Sequence, residues 1–274
     1  MLNKTFGIIG VGNMGMAILE GVIGNNIISN PQVWVYDKIS EKVKAAVQSY
    51  KVNEAKSLEE LAQNSEIILL AVKPQDLPQT AKELELKVPG AFSPKGTRCL
   101  LISILAGTPL EKIRASVGPG PQIVRAMPNL GAKVGEAITA LTSDNSAAIE
   151  VAEAIFQGCG KTICLEEKFF DLVTAVSGSG PAYFFLLMEL LAQSAAEGGI
   201  PEREARLLAV QTAVGAGLLA QQSQESPKEL RKKVTSKGGT TEAALKIMYE
   251  KKLPEIIKEA VQAALTRGKE LSQK

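Results

Sequence analysis

The chain has 274 residues, of which 45% are hydrophobic and 22% charged, and its formal net charge is +2. This composition is typical of a globular protein with one large domain or two smaller ones. With no basic run interleaved with aromatic residues, we predict no nucleic-acid partner. No apolar run approaches the ~18 residues of a membrane span, so we predict no membrane association.

The sequence contains no histidine, which excludes Ser-His-Asp and Cys-His catalysis and every histidine-ligated metal site. Cys99, Cys159 and Cys164 form neither a paired framework nor a metal-ligand cluster, so we predict no metal and a reducing, cytoplasmic compartment. Glycines at turn spacing interrupt the apolar residues of the N-terminal stretch MLNKTFGIIGVG. We therefore interpret that stretch as a first strand and not as a leader.

The first predicted strand, Phe6–Ile9, is followed by glycines at the G-x-G-x-x-G spacing of a dinucleotide site and then by helical spacing. Gly10 allows the tight turn, Gly12 lets the backbone approach a pyrophosphate, and Gly15 lets the helix pack on the strand. The helix N-terminus would face the phosphates. A glycine-rich turn without a ligand is the alternative. The predicted cofactor contacts here are Ile9, Gly10, Val11, Gly12, Asn13, Met14 and Gly15.

The next predicted strand, Val33–Tyr36, ends at Asp37. An acid about 20 residues past the glycines is placed to accept a hydrogen bond from an adenosine ribose. A turn residue is the alternative reading of Asp37. We favour a nucleotide site because strand, glycines, helix, strand and acid occur in this order.

The alternation of helix and strand continues beyond this point. Residues 57–64 are predicted as a helix with a capping box formed by Ser57 and Glu60, and residues 66–72 as a strand buried on both faces. Ligands of such sheets lie outside the carboxyl ends of the strands. We therefore expect the cofactor cleft to be lined by the residues that end this strand and the next one, residues 99–105: Val72, Lys73, Pro74 and Ala106.

The remaining pattern of this half completes an α/β fold. Thr108 and Pro109 are predicted to cap and open a helix, and residues 146–158 another. Further strands are predicted at residues 122–126, 138–141 and 161–165. The prediction is a Rossmann-type, doubly wound, mostly parallel sheet over residues 1–165 that binds NAD(P).

Residues 166–274 have helical patterns and no strand pattern. A helix over residues 167–176 is followed by the stretch SGSGP and by a helix from Pro181 that is apolar nearly all round. Such a helix is buried in a core or between subunits. Later helices are predicted to start at Pro201, Pro227, Thr240 and Pro254. We expect an all-α dimerisation domain.

One loop of this half, VTSKGGTT, carries more hydrogen-bond donors than a connection needs. The N–H groups of Gly238 and Gly239, the hydroxyls and a helix start at Thr240 or Thr241 together form an anion site, which we expect to bind a carboxylate. A simple helix cap, worth ~1 kcal/mol, is the alternative. Hydroxyls without a histidine suit a substrate that is already electrophilic, such as a protonated imine. Lys73 is an open candidate for proton transfer.

Two stretches, AVSGSGPAY from Ala175 and VTSKGGTT from Val234, resemble signatures of the pyrroline-5-carboxylate reductase family. GVGNMG, AVKP and MPN match in the same order, so the resemblance covers essentially the whole chain. It implies hydride transfer from NADPH or NADH to the C=N carbon of 1-pyrroline-5-carboxylate, giving L-proline. It also implies an interlocked homodimer, with further assembly of dimers into rings.

The resemblance also implies residue roles. The substrate carboxylate would lie near Ser236, Gly238, Gly239 and Thr240, and Thr241, the catalytic residue, would hydrogen-bond the ring nitrogen. The floor of the site would be formed by Ser177, Gly178, Ser179 and Gly180, with Glu167 nearby. The nucleotide would contact Ala71, Val72, Lys73, Pro74 and Ala106. After the second strand, Asp37 would repel a 2′-phosphate and Lys38 would attract one, so the residues favour NADH and the family NADPH.

Lys237 stands where the family usually has proline, and Leu130-Gly131 where it usually has Thr-Pro. The alternatives to this reductase are an enzyme of the same architecture acting on another cyclic imine or on a β-hydroxy acid, and a non-catalytic nucleotide-binding regulator. β-Hydroxy-acid enzymes usually rely on a catalytic lysine in the helical domain, and the glycine-threonine loop argues against that reading.

Overall fold

The computed structural model describes residues 1–87 and 99–272. The chain divides into two compact units, of which the first comprises Met1–Gly178 and Leu265–Lys274 and the second Ser179–Ala264. The last strand ends at Cys164. The predicted domain boundary after residue 165 stays a prediction.

The first unit is built on an eight-stranded sheet of order β3-β2-β1-β4-β5-β6-β7-β8. All neighbouring strands run parallel except β6 and β7, which pair antiparallel. The strands are β1 (Phe6–Ile9), β2 (Val33–Tyr36), β3 (Asn53–Glu54), β4 (Ile67–Leu70), β5 (Leu100–Ser103), β6 (Gln122–Met127), β7 (Ala137–Thr142) and β8 (Gly160–Cys164). Since the strand order reverses between β1 and β4, the ends of these two strands mark the switch point where ligands bind in such sheets.

Helices cover both faces of this sheet. Successive residues of β1 point to opposite faces, and Ile8 and Ile9 accordingly belong to separate buried clusters. The helices of this unit are α1 (Asn13–Gly24), α2 (Ser40–Tyr50), α3 (Leu58–Gln63), α4 (Leu77–Lys87), α5 (Leu110–Val117), α6 (Ser146–Gln157) and α7 (Phe170–Val173). The predicted doubly wound sheet is confirmed, and it also contains α2, β3 and α4, which were not predicted from the sequence.

Two predicted helix starts differ from the observed ones. The Ser57 hydroxyl accepts from the Glu60 N–H at 3.1 Å, but the Glu60 carboxylate accepts from the Lys56 N–H at 2.7 Å. The capping box is therefore wrong in its second half, because the carboxylate reaches one residue further back. At α5 the N-cap is Pro109 itself, and the Thr108 hydroxyl donates to the Ala106 carbonyl, so the predicted threonine cap is also wrong.

The stretch predicted as one helix over residues 167–176 has three helical forms. A 3-10 turn, Glu167–Phe169, leads into α7 and then into a π-helical turn, Thr174–Gly178. The Thr174 hydroxyl donates to the Phe170 carbonyl at 2.8 Å, and such back-bonding distorts helices. π-Helical turns occur frequently at functional sites, and this one contains Ser177 and Gly178.

The second unit is helical. Its helices are α8 (Gly180–Glu197), α9 (Glu202–Gln222), α10 (Pro227–Lys233), α11 (Thr240–Glu250) and α12 (Leu253–Ser272), whose residues from Leu265 onward belong to the first unit. The apolar helix α8 packs along α9, yet Phe184 is 64% exposed and Leu187 48%. A core position within the single chain is therefore excluded, which leaves the subunit interface of the two predicted locations.

One helical stretch of the described residues, Glu167–Glu197, has the length and mean hydropathy, 1.3, of a membrane span. The sequence prediction concerned unbroken apolar runs, and the absence of membrane association stays a prediction. Only 11% of its most apolar 18-residue window is buried in the single chain.

Candidate functional site

The glycine turn between β1 and α1 has the geometry of a phosphate cradle. Gly10 has φ +98°, and a Cβ there would lie 2.6 Å from the Ala71 carbonyl oxygen. A Cβ on Gly15 would overlap the Gly10 carbonyl oxygen, whereas one on Gly12 would meet no heavy atom of the described residues within 4 Å. Gly12 is also the N-cap of α1, and no side chain caps that helix. The turn thus presents open space and unpaired first-turn N–H groups to an anion.

Asp37, at the end of β2, holds this turn in place. Its Oδ2 accepts from the Val11 N–H and its Oδ1 from the Ile39 N–H, both at 2.9 Å. The carboxylate therefore links the glycine turn to the residues that follow β2. Each oxygen retains a second lone pair, so the predicted ribose contact stays a prediction.

Two cavities, of about 510 and 330 Å³, adjoin this turn. Of the predicted cofactor contacts, the lining includes Ile9, Gly10, Val11, Gly12, Asn13, Asp37, Lys38, Ala71, Val72 and Lys73. Met14, Gly15, Pro74 and Ala106 line neither cavity. Lys42 lines both cavities, and Lys133, which lines the larger one, donates to the Asn13 side chain at 3.4 Å. Neither lysine was predicted from the sequence, because neither lies in a recognisable motif.

Tyr36, at the end of β2, also lines the smaller cavity. Burial raises the pKa of its phenol, and the charges of Glu83 and Asp37 raise it further. Its hydroxyl is therefore neutral near pH 7.

Ser177 and Gly178 lie against the end of β6. The Asn129 side-chain amide donates to the Ser177 hydroxyl at 3.1 Å, and its oxygen accepts from the Gly131 N–H at 3.1 Å. A Cβ on Gly178 would lie 2.8 Å from the Met127 side chain, and one on Gly131 would lie 2.6 Å from the Glu136 carbonyl oxygen. Leu130–Val134 forms a 3-10 turn, so the residues in place of the family's Thr-Pro still make a compact turn capped by Asn129.

Glu167 forms a partly buried ion pair with Arg125, a residue that was not predicted from the sequence. Its Oε1 accepts from Arg125 on β6 at 2.9 Å and from the Leu110 N–H at the start of α5 at 2.7 Å. Arg125 is 4% exposed, and its guanidinium lies over the Phe170 ring, 4.8 Å from the ring centre. The signal in the sequence was a lone charge within the apolar strand QIVRAM. In this geometry Glu167 fixes the segment that leads to Ser177.

The VTSKGGTT loop lies within the second unit, as do Ser179, the N-cap of α8, and Gly180, its first residue. The Gly239 N–H donates to the Ser236 carbonyl at 3.0 Å, and the Gly238 N–H to the Glu242 carboxylate at 2.7 Å. A Cβ on Gly239 would overlap the Ser236 hydroxyl, so only glycine allows that hydroxyl its place.

At α11, which follows the loop, no side chain acts as a cap. The first hydrogen bond of the helix runs from the Ala243 N–H to the Gly239 carbonyl. The N–H groups of Thr240 and Thr241 precede this ladder and point out of the helix start. They are therefore suited to an anion, while both glycine N–H groups already have intramolecular partners.

The thiols have the properties of structural residues. Burial raises the pKa of Cys99 to about 12, with a contribution from the Glu66 charge, and the pKa of Cys159 to about 11. Burial and the nearby Glu153 also raise the pKa of Cys164. Protonated thiols are poor nucleophiles. Among the described residues, no group of His, Cys, Asp and Glu side chains could hold a metal ion.

The fold and these sites define a class, the dinucleotide-dependent oxidoreductases, with an additional all-helical unit. Residues 5–107 match the family model described as "NADP oxidoreductase coenzyme F420-dependent". Residues 167–271 match the model described as "Pyrroline-5-carboxylate reductase dimerisation".

Full-length relatives identify the family. A pyrroline-5-carboxylate reductase from Synechocystis sp. is 37% identical over 98% of this chain and 98% of the relative. The solved structure of such a reductase from Coxiella burnetii has a TM-score of 0.91 and 32% identity, covering all of both chains. A Plasmodium falciparum pyrroline carboxylate reductase, solved with NADP bound, has a TM-score of 0.86 and 29% identity over 99% of each chain. The chain belongs to the pyrroline-5-carboxylate reductase family.

Proposed function

We propose that this protein reduces 1-pyrroline-5-carboxylate to L-proline, with NADPH or NADH as the hydride donor. The observation that carries the proposal is the family match over the whole chain, because the fold alone hosts many functions. A bound nicotinamide nucleotide would supply a hydride to the C=N carbon of the protonated imine. The C=N π electrons pass to nitrogen, and the product is a secondary amine.

The residues at the glycine turn fit a dinucleotide. The space beside Gly12 is open, whereas Gly10 and Gly15 pack too closely on backbone for any side chain. A pyrophosphate would therefore approach Gly12 and the N–H groups at the start of α1. Lys38 and Lys42 add positive charge in the cavity beside Asp37. The remaining predicted contacts, including Met14, Pro74 and Ala106, stay proposals.

The residues of the VTSKGGTT loop fit the substrate carboxylate and imine. We propose that the N–H groups of Thr240 and Thr241 and the Ser236 hydroxyl hold the carboxylate, while Gly238 and Gly239 shape the turn. The Thr241 hydroxyl would hydrogen-bond the ring nitrogen and so fix the orientation of the C=N bond. A protonated imine accepts hydride at carbon without an enzymic acid that protonates its nitrogen in the same step, which agrees with a chain that contains no histidine.

For the SGSG stretch we propose a floor for the substrate, formed by Ser177, Gly178, Ser179 and Gly180. Support comes from the Asn129 side chain, which fixes the Ser177 hydroxyl at 3.1 Å. For Glu167 we propose a positioning role, because its Oε1 already accepts from both Arg125 and Leu110.

The chain forms homo-oligomers through its dimerisation segment, which contains the exposed apolar surface of α8 and α9. We propose that dimers assemble further into rings. The cytoplasmic location and the absence of nucleic-acid and membrane partners stay predictions.

The test is turnover of 1-pyrroline-5-carboxylate by the purified protein, followed at the nicotinamide absorbance with NADPH and with NADH. We expect oxidation of at least one nucleotide in step with the appearance of proline. A second imine and a β-hydroxy acid serve as comparison substrates. Preference for one of these would support the related-reductase alternative, and binding of nucleotide without turnover of any substrate would support the regulator.

A further inference from the structure

The residues Ser236 to Gly239 form a tight turn whose type explains an unusual residue. The Gly239 N–H donates to the Ser236 carbonyl at 3.0 Å, and of the two central residues only Gly238 has a positive φ, +74°. This combination defines a type II turn. Proline is favoured at the first central position, because its ring presets φ near −65°. That position is held here by Lys237, which provides no such restraint.

A type II turn without this restraint can change type. Rotation of the central peptide plane, between Lys237 and Gly238, converts it to type I and reverses the direction of the N–H and C=O groups. Glycine at the second central position permits both forms. A restraint on the Gly238 N–H would therefore decide how the loop presents its donors.

Glu242 supplies such a restraint. This residue lies in the first turn of α11, and its Oε2 accepts from the Gly238 N–H at 2.7 Å. A charge-assisted hydrogen bond of this length is among the stronger ones in proteins. The Glu242 carboxylate holds the central peptide plane from a position C-terminal to the turn. A proline at position 237 would instead restrain the turn as one of its own central residues.

We propose that Glu242 is a positioning residue for the substrate loop and compensates for the lack of a proline at position 237. The proposal rests on the proposed function, in which this loop holds the substrate carboxylate. Two other roles are possible for an acid here: it stabilises the helix dipole, or it occupies an anion site that the substrate must take over. The geometry favours positioning. The Glu242 carboxylate binds the Gly238 N–H, and the N–H groups of Thr240 and Thr241 stay available to bind the substrate.

The test compares four variants with the wild type: Glu242→Ala, Glu242→Gln, Lys237→Pro and the double variant Lys237→Pro/Glu242→Ala. Glu242→Ala should raise KM for 1-pyrroline-5-carboxylate about tenfold, with kcat and KM for NADPH changed by less than about twofold. Glu242→Gln should stay within about threefold of the wild type, because its amide oxygen still accepts.

The proline variants test the compensation. In the described part of the chain the Lys237 N–H donates to no other group, so proline should be tolerated there. In the Lys237→Pro background, Glu242→Ala should raise KM by less than about threefold. An equal effect of Glu242→Ala in both backgrounds would refute the compensation.

Other results would overturn the positioning role. A lower KM for 1-pyrroline-5-carboxylate in Glu242→Ala would mean that the carboxylate competes with substrate. A lower Tm with unchanged KM would mean that it only stabilises the helix. If the wild type turns over no 1-pyrroline-5-carboxylate, the proposed function fails. Amide hydrogen exchange over residues 236–239 then tests separately whether Glu242 restrains the turn. Faster exchange in Glu242→Ala, reversed in the double variant, supports the restraint, and equal exchange contradicts it.

Discussion

Two glycine loops of this protein each lead into a helix that no side chain caps, yet they are held in different ways. The turn of Gly10 to Gly15 lies between a buried strand and α1, where the backbone of Ala71 and Val72, just after β4, and the Asp37 carboxylate surround it. The loop of Ser236 to Thr241 is largely exposed in the single chain and is held by its own Ser236 and by Glu242.

The difference shows how each site can be preorganised. A loop built into a sheet inherits its shape from the core, so Gly10 and Gly15 are required by sterics, whereas Gly12 faces open space. A loop between helices must be fixed by local hydrogen bonds and turn chemistry. Substitutions in the first loop should therefore lower either stability or cofactor affinity, depending on their position. Substitutions in the second loop should mainly change substrate binding and turnover.

The largest effect should come from one glycine of the first loop, with a second glycine as its control. Gly15→Ala should lower the free energy of unfolding by about 3 kcal/mol, because its Cβ would overlap the Gly10 carbonyl oxygen. Gly12→Ala is the matched control, since Gly12 has φ −73° and open space beside it. It should unfold within about 0.5 kcal/mol of the wild type but raise KM for NADPH about tenfold or more. Denaturant unfolding and kinetics measure the two effects; unchanged cofactor kinetics in Gly12→Ala would contradict the cradle.

In the second loop, Thr241→Ala should lower kcat about a hundredfold, the usual cost of removing one well-placed donor. KM for NADPH should stay within about twofold of the wild type, because the nucleotide is held elsewhere. Thr241→Ser, which retains the hydroxyl, should recover most of the turnover. A similar loss of turnover and of nucleotide binding in Thr241→Ala would instead indicate a structural cap.

A smaller effect should reveal which nucleotide the first loop prefers. Lys38→Gln should raise KM for NADPH about fivefold and leave KM for NADH unchanged, because only NADPH carries a 2′-phosphate. Lys44→Gln removes the same charge from an exposed position that lines neither cavity and should change neither value. Equal changes with both nucleotides in Lys38→Gln would exclude the phosphate contact.

The smallest effect concerns α10, the helix before the second loop, which has a capping box of its own. The Ser226 backbone N–H and hydroxyl lower the pKa of the exposed Glu229 carboxyl below its ordinary value of 4.5. A lowered folded-state pKa adds stability above pH 4.5 that is lost as pH falls through the folded value. The Tm difference between wild type and Glu229→Gln should therefore shrink below that pH. A difference that grows on acidification would contradict the capping role.

The sequence alone predicted the parts of this molecule that follow from local patterning. Every sheet strand it identified was confirmed to within a few residues. Most of these strands are buried, and buried strands have apolar runs and abrupt ends; β8 is largely exposed and does not follow this reason. It could not predict the Arg125–Glu167 ion pair or the Asn129–Ser177 hydrogen bond, since both join residues that are far apart in the chain.

In the second loop, the sequence identified the surplus of hydroxyls but left Lys237 unexplained. The missing information was conformational. The turn type depends on one positive φ at Gly238, and the compensating contact comes from Glu242, which the residue pattern did not distinguish from an ordinary first-turn acid.

The central claim, hydride transfer to the C=N carbon of 1-pyrroline-5-carboxylate, is tested most directly by isotope transfer. The purified protein would be supplied with that substrate and with nicotinamide nucleotide deuterated at the transferable position. The account predicts L-proline carrying one deuterium at the carbon that was doubly bonded to nitrogen, as read by mass spectrometry. Proline without deuterium, or no proline at all, would contradict it.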